Sequence, residues 1–165
     1  MSQIHRLIFL SYWSLILTVF HKWSSQYFNP TFLTLFVLVG STYVFYVKPG
    51  HIPIIKPKSQ KRIDHYSQTQ KSLAHIVLHI LPFVWMLHVY GFHGDKHNIE
   101  RIEFLSKLVL TGGLLAVYGA SVDVKEIYGL NLDDIMIIVI IACVIFFTGV
   151  WLTSRSTLKK YIKSN

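Results

Sequence analysis

Nine histidines stand in this chain of 165 residues, and four of them pair at four-residue intervals: His75 with His79, and His93 with His97. Residues four apart share a helix face about one turn apart. Imidazoles so placed are ligands for transition metals or, near an interface, for haem. His75, His79, His93 and His97 are therefore the candidate metal ligands. The wider pattern speaks against a metal enzyme. No two histidines are adjacent, and Gly94 breaks the helical run between His93 and His97. His88 falls about 180° from His79 on a helix, so those two share an ion only if Pro82 bends the axis. The simpler expectation is that His75 and His79 hydrogen-bond near an interface while the rest are solvated, and no cofactor is expected.

The remaining polar groups compose no catalytic set. Asp133 and Asp134 are neighbours, which a helix points about 100° apart, and their place before an apolar run suits the positive end of a helix. Asn131 or Asp133 is the expected cap. Ser41, Thr42 and Thr111 sit inside apolar stretches, where each hydroxyl can bond the carbonyl one turn back. No partner base is evident for any of them. Cys143 is the single cysteine, so no disulfide can form within the chain. No catalytic residue is read, and the chain inclines away from an enzyme.

What must position these residues is a series of long apolar runs. Residues 135–152 carry no charge over eighteen positions, and a helix crossing hydrocarbon needs about twenty. Apolar residues make up 52% of the chain and charged residues 15%, against roughly 25% charged in an average soluble domain. The mean hydropathy is +0.44. The expected fold is all-α: a polytopic transmembrane bundle of four to five hydrophobic helices, forming one integral membrane domain over residues 1–165. Helices are expected at about 4–20, 31–47, 67–91, 99–122 and 132–162, with a basic, proline-rich loop at 48–66. Residues 1–20 imitate a secretory signal, but the bulky His21-Lys22-Trp23 that follows is a poor cleavage site, so a retained first helix is expected.

The net charge of +8 lies in loops and tails, which points to orientation and anionic lipid rather than nucleic acid. Lys56, Lys58, Lys61 and Arg62, with Lys159 and Lys160 in the tail, are the expected lipid- or partner-facing cations. If all five helices cross, the Lys and Arg residues divide evenly, eight to each face. If residues 67–91 do not cross, fourteen share one face against Lys22 and Lys125 on the other. Residues 67–91 also hold three histidines and a proline, the costliest set to insert. Both points favour four crossings, with residues 67–91 re-entrant or lying along the surface and both termini on the cytoplasmic side.

Packing supplies the last signal. Gly112, Ala116 and Ala120 recur every fourth residue, and Gly40 offers a comparable notch in the second helix. Small residues at this interval let helix backbones approach closely inside a bilayer. The reading that follows is a small multi-pass membrane protein with a structural, assembly or accessory role beside other membrane subunits. The alternatives are a histidine-dependent membrane enzyme or metal- or haem-binding protein, and a small solute or ion pathway.

Overall fold

The computed structural model describes residues 10–47, 68–92 and 101–164, and every regular element among them is helical. The chain forms α1 (Leu10–Val19), a short α2 (His21–Ser24), α3 (Pro30–Val47), α4 (Gln68–His75), a π turn (Ile76–Ile80), α5 (Leu81–Tyr90), α6 (Arg101–Ser121), a short α7 (Val124–Tyr128) and α8 (Leu132–Ser164). The expected helices at 31–47, 99–122 and 132–162 match α3, α6 and α8 to within two residues. The expected loop 48–66 and residues 4–9 of the expected first helix lie outside the described residues. The two short helices α2 and α7 were not expected from the sequence.

Local chemistry explains the boundaries. Pro30 opens α3 with its fixed φ and no N–H to leave unpaired. The Asn29 side chain caps the same helix, its Oδ1 accepting the Phe32 N–H at 2.9 Å. At α8 the cap is Asn131, not Asp133. Asn131 Oδ1 accepts the Asp134 N–H at 2.9 Å, and Asp134 Oδ2 accepts the Asn131 N–H at 2.9 Å. Two otherwise orphaned donors are thus satisfied reciprocally. Gly91 ends α5 at φ 63° and ψ −165°, a region that only glycine occupies without strain.

α4, the π turn and α5 form one continuous helical segment. In the π turn the Leu81 N–H reaches back five residues to the Ile76 carbonyl. Pro82 explains why: its ring would collide with the Leu78 carbonyl in regular α geometry, and it brings no N–H to bond there. Widening one turn upstream relieves the collision.

α3 lies at the centre, against α1, the π turn, α5, α6 and α8. Its neighbours alternate in direction. Near the end of α3, Tyr43 bonds Asp134 at the start of α8, and Thr42 meets His75. Near the start of α3, Phe32 packs on Phe146 well along α8, and Thr31 bonds Gly91 beyond α5. Both α8 and the 68–90 segment therefore run antiparallel to α3. α1 does so too, with Leu17 and Ser24 beside Leu33 and Thr34. α6 runs parallel to α3: its Phe104 reaches Phe146 and its Tyr118 reaches Tyr128.

Three helices are long and apolar enough to cross a membrane: Pro30–Val47, Ile102–Ser121 and Leu132–Ser154. Ile76–Tyr90 is a shorter apolar helix. Much of the outward surface is apolar, while the interior mixes apolar side chains such as Leu33, Leu35, Met86 and Phe146 with polar ones. Only 11% of the Ile102–Ser121 span and 22% of Leu132–Ser154 is buried, against 39% of Pro30–Val47. The outward surface carries Val109, Val117, Ile140, Val144 and many other large apolar side chains, while the interior holds Ser14, Ser24, Asn29, Thr31, Thr34 and Thr111. Apolar area on this scale is compatible with an integral membrane protein.

Candidate functional site: a histidine pair beside the central helix

The polar interior gathers into two clusters, one at each end of α3. At the start of α3, the Thr111 hydroxyl accepts the Asn29 N–H at 2.9 Å and donates to the Lys107 carbonyl at 2.7 Å. The Thr31 hydroxyl donates to the Gly91 carbonyl at 2.6 Å, and Asn29 Nδ2 reaches the Phe92 carbonyl at 3.4 Å. His21 Nδ1 and the Tyr90 hydroxyl lie 2.7 Å apart. The fully buried Phe146 ring sits among Phe32 at 4.9 Å, Phe92 at 5.9 Å and Phe104 at 6.3 Å between centroids. Gly149 makes room for Phe92, since a methyl group there would overlap the Phe92 ring. Lys107, with its side chain 8% exposed, pairs with Glu103 one turn earlier at 2.7 Å. These contacts lock helices together.

At the other end of α3 the arrangement differs. The Tyr43 hydroxyl donates to Asp134 Oδ1 at 2.8 Å, so the buried carboxylate is fully engaged between α3 and its own cap. The Leu10 N–H donates to the Tyr128 hydroxyl at 2.9 Å, and the Tyr118 and Tyr128 hydroxyls lie 2.9 Å apart. Tyr128 lies between the helices that can span, and burial raises its hydroxyl above the ordinary tyrosine value of 10.0. His75 rests its ring on Phe45, 5.3 Å between centroids and 18° from parallel, with Nε2 3.3 Å from Thr42 Oγ1. His79 stands 5.2 Å from His75 between ring centroids. His79 Nδ1 is buried and has no hydrogen-bond partner among the described residues.

Of the expected metal ligands, His75 and His79 thus come together, with His75 set against Phe45 and Thr42 of α3. His93 and His97 lie outside the described residues, as do Lys56, Lys58, Lys61 and Arg62. Lys159 and Lys160 fall in the last turns of α8, beyond its apolar span. Among the described residues no group of three or more His, Cys, Asp or Glu side chains could hold a metal ion, so any ion here relies on the two imidazoles. Gly112, Ala116 and Ala120 are exposed along α6, and a methyl group on Gly112 would meet nothing within 4 Å. That ridge is not what joins α6 to the bundle. Gly40 does face a neighbour: a Cβ there would rest 3.7 Å from Ile138 of α8.

Phe146, Gly149, the Tyr43–Asp134 bond and the orphaned His79 nitrogen were not singled out from the sequence. Each depends on which residues of distant segments meet, and only the Gly-Val-Trp at residues 149–151 offered a local hint of a close approach. Comparison of this chain with protein-family models, with curated proteins and with solved structures finds no match.

Proposed function

We propose that this chain is a small multi-pass integral membrane protein that acts as a structural or accessory subunit, packing and anchoring its neighbours in the bilayer. The observation that carries this reading is the apolar surface: two long helices expose most of their apolar side chains, while hydroxyls, amides and one carboxylate stitch the inside. Such a body has lipid as its solvent, and its polar groups serve helix association. Asp134 is occupied by a cap and by Tyr43, and Lys107 by Glu103, so neither stands ready for catalysis.

The segment 68–90 lies alongside α3 from one end to the other, which supports five crossings rather than four. Its apolar part, Ile76–Tyr90, extends about 22 Å, so a crossing here needs local thinning of the bilayer, with the polar turns of Gln68–His75 at headgroup depth. On this arrangement the basic loop 48–66 and Lys125 share one face, while Lys22, the residues 93–99 and the basic tail share the other. The termini then lie on opposite faces, whereas four crossings would keep both on the cytoplasmic side that charge counting predicts. Cations on each face sit where anionic headgroups are within reach.

Two measurements test this. The protein should stay in membranes through alkaline carbonate washing, and its release would defeat the membrane reading. In a Cys143→Ser background, a cysteine at residue 58 and one at residue 96 should react with an impermeant thiol reagent from opposite sides. Labelling of both from one side would return the count to four.

A further inference from the structure

Among the described residues, the His75–His79 pair holds the buried side-chain nitrogen that the packing leaves without a partner. His75 is held in place by Phe45 on its face and Thr42 at its Nε2. His79 Nδ1 is shut away from solvent with no hydrogen-bond partner among the described residues. A buried polar nitrogen left unpaired is destabilising, and native folds keep very few of them. Three features coincide here: the π turn, the four-residue interval and the 5.2 Å ring separation. Wide turns of this kind recur where a helix presents side chains to a ligand.

The donors select the ligand. Both are neutral imidazoles, which suit copper, zinc, iron and nickel. No carboxylate or thiolate joins them among the described residues. A divalent ion would bring two positive charges to a poorly hydrated place with no anion to offset them. Copper(I) brings one charge, is content with two nitrogen ligands, and has no need of the waters that a harder ion would retain. We propose that His75 and His79 bind a single copper(I) ion, with His79 Nδ1 and one ring nitrogen of His75 as donors and Thr42 as the positioning residue for His75. This site would be an addition to the structural role and does not depend on the number of crossings.

The test uses the full chain in lipid nanodiscs, with copper kept reduced by ascorbate and titrated against a coloured copper(I) chelator. The expected result is one copper per chain, with His75→Ala and His79→Ala each weakening it by about tenfold or more. His88→Ala, an exposed histidine of the same segment, should leave it unchanged. No uptake overturns the proposal, as does uptake of equal strength in His79→Ala, or zinc held in preference to copper(I). X-ray absorption of the loaded wild-type protein guards against variants that fail to fold. It should show copper(I) with low-coordinate nitrogen ligation, and sulfur neighbours or four-coordination would overturn the assignment. Thr42→Val should broaden that ligand shell while retaining the copper, which a purely packing role for Thr42 would not produce.

Discussion

Single side chains set how firmly the helices hold. Phe146 has no exposed surface and touches rings from α3, α6 and the turn beyond α5. Phe146→Ala should lose on the order of 3 kcal/mol, read as an earlier midpoint in reversible unfolding from mixed micelles, and a loss under about half that would mean lipid or Phe147 fills the space. Tyr128 offers a pH handle. Its hydroxyl titrates above 10.0 in the folded protein because burial opposes the phenolate, while in the unfolded chain it titrates near the ordinary value. The stability it contributes is therefore whole below about pH 10 and is lost as pH rises through the folded value. Ultraviolet titration should show this tyrosine ionising late and together with loss of structure, and Tyr128→Phe should lower the amplitude of that late step by one tyrosine. Early, reversible ionisation of every tyrosine would contradict the buried position. At this scale the sequence was readable where chemistry is local. Asn29-Pro30 and Asn131 announce helix starts within three residues, and His75 and His79 announce a shared face. Phe146 and Tyr43 look like any other aromatic in an apolar run, because their roles come from residues about a hundred positions away.

Elements were more legible than contacts. α3, α6 and α8 emerge from hydropathy alone because each must satisfy its own backbone in an oily surrounding, so length and apolarity follow directly from the bilayer. The 68–90 segment was harder. Its histidines and Pro82 read as a reason for it to avoid the membrane; in the fold the π turn absorbs the proline and His75 rests on α3, while His88 stays exposed. The small-residue ridge of α6 was legible as a pattern but not as a place: Lys107 and Thr111 face inward instead, because the polar side of α6 finds partners in the bundle and its smooth side does not. Gly91 governs the exit of the segment. Gly91→Ala imposes a backbone that an alanine rarely adopts, at about 1–3 kcal/mol, and should also loosen the bond from Thr31 to the Gly91 carbonyl. Amide exchange across Tyr90–Phe92 and at Thr31 would report this, and unchanged protection at both would show that the turn relaxes freely.

For the molecule as a whole, the central place of α3 has a consequence for how it is made. α3 leaves the ribosome before most of what it bonds: Thr31 waits for Gly91, Asn29 for Thr111, Tyr43 for Asp134 and Phe32 for Phe146. Until residue 146 has been synthesised and threaded into the lipid, the middle helix holds unsatisfied hydroxyls and an uncovered ring, and the insertion machinery or a membrane chaperone has to shelter them. A nascent chain halted before α8 should remain crosslinkable to that machinery through α3, whereas one halted after residue 154 should be released.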